Sequence, residues 1–382
     1  AAQRSASQRF AMNTLPLLSL CASLTVIRAA LSSHIAVSNQ LKQWHFAAAD
    51  SCNTQFFHEE VGAVTKEARL AYVAASCFPE LSTKSQAAAA IKRGELLLNG
   101  AQVEACRAVR AGDIISYTPP SARILDARAL DALTRFTLHL LEQGLRTVHE
   151  DEDIAVVFKP AGIHTKHATN RKYFALEDAL AAILHPCSNA VADALPLPLA
   201  MHRLDVRVCG LLLVAKTRTG AVSIARQLAD RTVEKTYRAL LIGRLPSDLS
   251  RVETAVNGQE AQTSVRVLSH VPHAHWGDVT HVELQPHTGR THQLRIHMAA
   301  LGAPIIGDDL YHDSIGREAR ARLGGDPLPP VAVKRGLFLQ SVRVAFRHPK
   351  HGEMMELAVD EITKHTSLLD KMKRSAEYRK LE

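Results

Sequence analysis

The residues best equipped for chemistry lie in "MHRLDVRVCGLLLVAKT", where Asp205 stands between Arg203 and Arg207 and precedes a strongly apolar run. A carboxylate beside guanidinium groups keeps its charge and can act as a nucleophile, although the same arrangement also serves as a structural ion pair. The residue types leave both readings open. Metal chemistry is the other candidate, because the chain holds 20 histidines and "THQLRIH" sets His292 and His297 five apart. On a helix that spacing turns the two rings roughly 140 degrees from each other, which makes one-helix chelation poor. Asp308 and Asp309 follow Gly307, where adjacent acids cap a turn more often than they hold a hard cation. No H-E-x-x-H, phosphate-binding G-x-x-x-x-G-K-[ST], dinucleotide-binding G-x-G-x-x-G or G-x-S-x-G elbow occurs in the chain, so those enzyme classes recede.

These residues must be positioned by a chain of 382 residues, 46% hydrophobic and 22% charged. At roughly 150 residues per domain this length makes two or three globular units. Strand-like segments recur from Ile154 onward, in "IAVVFKPAGIHTK", "GLLLVAKT", "KTYRALLIG", "TSVRVL", "VTHVELQP" and "LFLQSVRVAF". Helical patterns interrupt them at "TGAVSIARQLA" and "RTHQLRIHMAALG". The alternation is irregular and several strands carry polar residues on one face, so an α+β domain with a mixed, mainly antiparallel sheet is expected over 146–362.

A smaller unit is expected over 66–118. There Thr83 and Gln86 suit a helix start, Lys92 and Arg93 the last turn of that helix, and "ELLLNGAQV" a strand, an Asn99-Gly100 turn and a second strand. Residues 121–145 read as a linker helix with an apolar stripe of Leu130, Leu133, Phe136, Leu140 and Leu141. Residues 313–334 read as an insertion, and 363–382 as a basic tail. Residues 1–60 show no steady periodicity. Their Arg4, Arg9, Arg28 and Lys42, with no acid before Asp50, suit a disordered arm or a targeting segment. The protein is mitochondrial or in another organelle on the second reading and cytoplasmic on the first, and the sequence leaves both open.

Lys+Arg 46 against Asp+Glu 38 gives a net charge of +8, which favours a polyanionic partner. The apolar stretch Leu15 to Ile27 is broken by Ser19, Ser23 and Thr25 and is too short to cross a bilayer. No two cysteines stand closer than Cys187 and Cys209, which removes a close zinc pair or redox pair and favours a reducing compartment. No coiled-coil repeat is evident, so a monomer is the default.

Four ordered blocks together resemble the RluA-type RNA pseudouridine synthases, over about residues 66–360. "HRLD" is similar to that family's catalytic motif and implies Asp205 as the nucleophile. "VVFKPAGIHTK" resembles the first block and implies that Lys159, Pro160 and Gly162 shape an active-site strand and loop. "EKTYRALLIG" implies Tyr237 as the ring against the target uracil, with Lys235 nearby. "TGRTHQLRIHMAALGAPIIGDDLY" implies Arg295 as the guanidinium that pairs with the aspartate, with Arg290 and His292 among the RNA contacts. The unit at 66–118 resembles an S4 RNA-binding domain. Val208 and Cys209 stand where the family usually has Thr-Ser, and Gln340 replaces a frequent histidine.

The resemblance implies an isomerase that breaks the N1–C1′ bond of uridine and joins C5 to C1′, with no cofactor and no metal. The aspartate either attacks C1′ or begins by deprotonating C2′, and the tyrosine hydroxyl takes part in removing the C5 proton. Structured RNA is the implied partner, rRNA of the large subunit before tRNA, with a noncatalytic RNA-binding or ribosome-assembly protein as the alternative. Base flipping is needed to reach such a pocket. Lys92, Arg93, Arg203, Arg207 and Arg290 are the expected phosphate contacts.

Overall fold

In a computed structural model of the chain, the described residues are 33–43, 57–60, 69–78, 81, 83–117, 127–167, 173–188, 191–273 and 276–378. The arginines at 4, 9 and 28, on which the targeting expectation rests, lie outside them.

One correction falls inside the N-terminal arm, where a helix, α1, covers 33–43. Its Val37 and Leu41 are buried against Leu133, Ala181 and Ala182, and Gln40 Nε2 donates to the Leu184 carbonyl at 2.8 Å. Two apolar anchors four residues apart are too thin a stripe to register as periodicity. The groove that receives them is built by residues far along the chain, from α4 (Ala127–Glu142) and α5 (Leu176–Ile183).

A small unit has its own core of Leu70, Phe78, Ala87, Ile91, Leu96, Ile115 and Tyr117. It consists of β1 (Phe57–Glu60), α2 (Leu70–Cys77), α3 (Lys84–Lys92), β2 (Leu96–Leu98) and β3 (Ile114–Tyr117), with sheet order β1-β3-β2. Thr83 caps α3, its Oγ1 accepting from Gln86 N at 3.2 Å. Asn99 and Gly100 take φ of 51° and 77°, the left-handed pair that a tight hairpin turn needs. The second strand expected after this turn shrinks to a single bridge, Leu98 to Ala101. Gln102 turns away to cap α3, its Nε2 donating to Ile91 O at 3.2 Å.

The large unit is a mostly antiparallel sheet of ten strands. Along it run β4 (Arg146–Glu150), β5 (Ile154–Lys159), β7 (Cys209–Thr217), β12 (Leu339–Arg347), β8 (Glu234–Ile242), β11 (Gly277–Pro286), β10 (Thr263–His273) and β9 (Arg251–Val252). Strand β6 (Ala194–Ala200) pairs β7, and β13 (Met354–Ala358) pairs β12. Strands β5 and β7 are buried along their whole length, which is why they read as unbroken apolar runs. The late strand β12 is wedged between β7 and β8 and runs parallel to β7 at only two pairs, Gln340 with Cys209 and Ser341 with Gly210. Gly210 has φ 121°, and a Cβ there would lie 2.1 Å from the Ser341 carbonyl oxygen. No other residue fits this junction.

Helices α6 (Arg218–Ala229), α7 (Gln293–Ala300), α8 (Arg317–Arg322) and α9 (Thr363–Tyr378) complete the large unit. Residues 363–378, expected as part of a basic tail, are helical and bury Leu368, Leu369 and Met372 in the main core. Gln340 anchors that helix, its Nε2 donating to Asp360 O at 2.9 Å and its Oε1 accepting from Ile362 N at 2.8 Å. The chain between α7 and β12 holds a π-helical turn (His312–Gly316), α8 and a 3-10 turn (Val333–Arg335). Among the described residues no helix is long and apolar enough to cross a membrane.

Candidate active site

Asp205 lies on the loop between β6 and β7, and this loop is fastened from beneath by residues of the β5–α5 connection. Lys159 ends β5 fully buried and points its ammonium into a cage of backbone carbonyls. Its Nζ donates to Val208 O at 2.8 Å, Pro160 O at 3.0 Å, and Asp205 O and Val206 O at 3.3 Å. Burial lowers its pKa to about 8. Gly162, at φ 95°, donates its N–H to Val206 O at 2.7 Å, and Thr165 Oγ1 donates to Leu204 O at 2.9 Å. Lys159 and Gly162 therefore hold the loop backbone, while Pro160 contributes one carbonyl to the cage around the ammonium.

Above the loop stands the N-terminal end of α7. Arg295 is 3% exposed and grips Asp308 with both edges of its guanidinium, Nε to Oδ2 at 2.8 Å and Nη2 to Oδ1 at 2.7 Å. Its remaining nitrogen, Nη1, is 3.9 Å from Asp205 Oδ2. The expected pairing of Arg295 with Asp205 is thus a looser contact held in place by a tighter one. Burial opposes the charge on Arg295, but the bonds and field of Asp308 outweigh it and raise the pKa. Asp308 also caps the following turn, accepting from Leu310 N and Tyr311 N at 3.0 and 3.1 Å. Asp309 pairs with Arg207, which also donates to Val333 O at 3.4 Å.

Two further side chains face Asp205. His292 brings Nε2 within 3.8 Å of Oδ2, while its Nδ1 is 2.9 Å from the Tyr311 hydroxyl. Tyr237, on β8, is buried, and burial followed by the nearby Asp205 charge raises its phenol pKa. Its phenol therefore holds its proton in the resting site, with the ring beside the carboxylate. His202 is locked by its Nε2, which accepts from Leu213 N at 3.1 Å, and burial pushes its pKa down to about 3.

The basic residues expected at RNA divide by whether they are already engaged. Lys92 and Arg203 are exposed, whereas Arg93 is paired bidentately with Glu95 at 2.6 and 2.7 Å. Arg290 donates Nε to Glu260 O at 3.0 Å. Lys235 is half-buried on the same face of β8 as Tyr237, and burial lowers its pKa. Lys166 was not singled out from sequence, yet it follows the clasping Thr165, and burial lowers its pKa too. Asp308 and Tyr311 were also missed as site residues. The "GDDLY" run carries them, but only the fold shows that its first carboxylate faces α7.

His297, the other half of the considered histidine pair, is internal: Nδ1 meets Thr263 Oγ1 at 2.9 Å and Nε2 meets Thr254 O at 2.8 Å. Asp151, Asp153 and His348 bring potential metal-binding atoms within 4.8 Å of one another, at the opposite end of β5, about 20 Å away by strand rise. His348 Nδ1 accepts from Lys350 N and His351 N at 3.2 and 3.3 Å. Its hydrogen therefore sits on Nε2 and is donated to Asp151 Oδ2 at 3.1 Å. A metal would need that nitrogen bare, so the residues do not fit one and instead staple two turns together.

Residues 153–300 match the family model described as RNA pseudouridylate synthase. The ribosomal large subunit pseudouridine synthase D of Pseudomonas aeruginosa is 32% identical over 304 residues, covering 76% of this chain and 83% of its own length. The ribosomal large subunit pseudouridine synthase C of Vibrio parahaemolyticus is 28% identical over 280 residues, covering 70% of this chain and 81% of its own. Among solved structures, human RNA Pseudouridylate Synthase Domain Containing 1 aligns at 27% identity and a TM-score of 0.41, over 57% of this chain and 84% of that one. With an aspartate held between an arginine, a histidine and a buried tyrosine, and with relatives matched over most of their length, the chain belongs to the RNA pseudouridine synthase family and is an RNA-modifying isomerase.

Proposed function

We propose that the chain isomerises specific uridines of structured RNA, with Asp205 as the reacting carboxylate, and that its substrate is large-subunit rRNA. The observation that carries the chemical part is the pair of contacts to Asp205 Oδ2, Arg295 Nη1 at 3.9 Å and His292 Nε2 at 3.8 Å, on a side chain that is still 19% exposed. A nucleophile needs both a fixed charge and an open approach. The rRNA choice rests on the two bacterial relatives being named as ribosomal large subunit pseudouridine synthases, and tRNA is the alternative.

In this reading Asp205 attacks C1′ or deprotonates C2′ as the N1–C1′ bond breaks. Arg295 keeps the carboxylate charged and aimed, and Tyr237 stacks on the detached base while C5 turns toward C1′. The target nucleotide leaves its stack, and basic side chains at the margin, Lys166, Arg203 and Lys235, offset that cost through phosphate contacts. Arg290 and Arg207 act there with less freedom, being tied to Glu260 and Asp309. The unit holding Lys92 and Arg93 serves as an S4-like RNA-binding module, and 313–334 tunes target choice. The protein works as a monomer.

Pseudouridine mapping of rRNA and tRNA from cells lacking the protein, after addition of native chain or of Asp205→Ala, tests this. New sites are expected in large-subunit rRNA with the native chain and none with the variant. Modification by a folded Asp205→Ala protein would overturn the role of Asp205, and sites confined to tRNA would overturn the substrate.

A further inference from the structure

The N-cap of α7 is occupied in an unusual way. His292 has φ 58° and ψ 20°, and its side chain makes no capping bond. Asparagine, serine or glycine would fill such a position with less strain or with a bond to the helix N-terminus. The imidazole is instead committed to a line of contacts, Asp205 Oδ2 to His292 Nε2 at 3.8 Å and His292 Nδ1 to the Tyr311 hydroxyl at 2.9 Å. Tyr311 is fixed in turn. The Arg295 guanidinium lies 5.2 Å from its ring centroid, the His292 ring meets it edge-on at 5.7 Å, and its N–H is held by Asp308.

The reaction creates a need for such a line. After C5 joins C1′, the C5–H bond must break. Its electron pair becomes the C5=C6 double bond, the N1=C6 pair moves onto N1, and N1 takes up a proton from solvent, so one proton leaves and one is gained. The carboxylate of Asp205 can accept the leaving proton but is then neutral and unfit for another turnover.

We propose that His292, braced by Tyr311, takes this proton from Asp205 and passes it to solvent, restoring the carboxylate. An imidazole is a stronger base than a carboxylate, and this one is the group that faces Oδ2 while its other nitrogen is held by Tyr311. In the tautomer whose Nδ1–H is donated to the tyrosine oxygen, Nε2 presents its lone pair to Asp205, and this is the tautomer the relay requires. His292 acts through Asp205 and is a positioning and relay residue. The inference rests on the reading of Asp205 as the reacting group. The charged groups around the ring are Asp205 from the loop, Arg295 from its own helix, and Asp308 and Asp309 before Tyr311, with Arg207 beyond Asp309.

The test uses the full chain with rRNA from cells lacking it, measuring single-turnover and steady-state rates across the titration range of imidazole. His292→Asn keeps a side chain suited to the left-handed backbone while removing the relay. It is expected to lower kcat about 100-fold at neutral pH, to leave KM and RNA affinity within about twofold, and to erase an inflection of the pH–rate profile. Added imidazole restores part of the rate, and Tyr311→Phe shifts the inflection. Unchanged kcat and pH profile in folded His292→Asn, or a loss confined to KM, overturns the relay. Asp205→Ala run alongside separates the two failures: if it is inactive while His292→Asn is normal, only the relay falls, and if it retains turnover both fall.

Discussion

Replacing Lys159 with methionine separates the placement of Asp205 from the stability of the fold. The substitution keeps most of the buried volume and removes a cation that donates to four carbonyls, two of them at 2.8 and 3.0 Å. Bonds from a charged donor are worth about 1.5–3 kcal/mol each, so the two short ones contribute about 3–6 kcal/mol. Against this stands the burial of the charge: a pKa lowered from the ordinary 10.5 to about 8 is a penalty of roughly 3 kcal/mol on the ammonium. The net loss is then only about 0–3 kcal/mol, and Tm falls by no more than about 10 °C. The loop, however, loses its fastening at Asp205, Val206 and Val208 together, and a displacement of about 1 Å in a reacting group costs on the order of 100-fold in rate. Lys159→Arg should fail similarly, because the pocket is 0% exposed and a guanidinium is too large for the cage. Single-turnover kinetics on rRNA beside thermal unfolding reads both effects. A kcat within about threefold of the native value, or a loss seen only in KM, would refute the idea that the carbonyl cage sets the position of Asp205.

Asp308→Asn should lower kcat about 10- to 100-fold, because an amide cannot accept both arms of the Arg295 fork, leaving the guanidinium free to rotate away from Asp205. A kinetic comparison with Asp309→Asn, expected to have a smaller effect, checks it. Stability should rise with pH through the window set by His365. This ring is fully buried, neither nitrogen has a hydrogen-bond partner among the described residues, and burial pushes its pKa down to about 4 from 6.5. Below 6.5 the unfolded chain binds the proton first, so stability is lost as pH falls from 6.5 toward 4. Denaturant midpoints for native and His365→Leu proteins should diverge across that window and run parallel above it.

Asp205 was legible as a candidate from its place between two arginines at the mouth of an apolar strand, whereas its choice as nucleophile, and Tyr237 and Arg295 altogether, came from the resemblance of their blocks to the family. The strands β5, β7, β8, β11 and β12 were visible because the local sequence carries their apolar or alternating pattern. Strand β6, "ALPLPLA", was not, because its two prolines argue against pairing and only its place beside β7 accommodates them. Helix α1 escaped notice because its two anchors gain their value from a groove made by α4 and α5, far later in the chain. The carboxylate of Asp308 is the clearest loss, and the ammonium of Lys159, placed at the active-site loop by resemblance, was expected without its partners. Each has a role defined by the atoms it meets across the fold, Arg295 for one and the carbonyls of residues 205–208 for the other, and neither pairing leaves a trace in spacing.

The wedged position of β12 has a consequence for a chain made from its N-terminus onward. Until Leu339–Arg347 leaves the ribosome, β4, β5, β6 and β7 form one patch and β8, β11, β10 and β9 another, each with an open edge where the missing strand belongs. Asp205 rides on the first patch and Tyr237 on the second. From the completion of β11 at Pro286 until that strand emerges, the nascent enzyme therefore carries its reactive groups on two separate halves, and insertion of one late strand closes the gap and assembles the reactive centre in the same event.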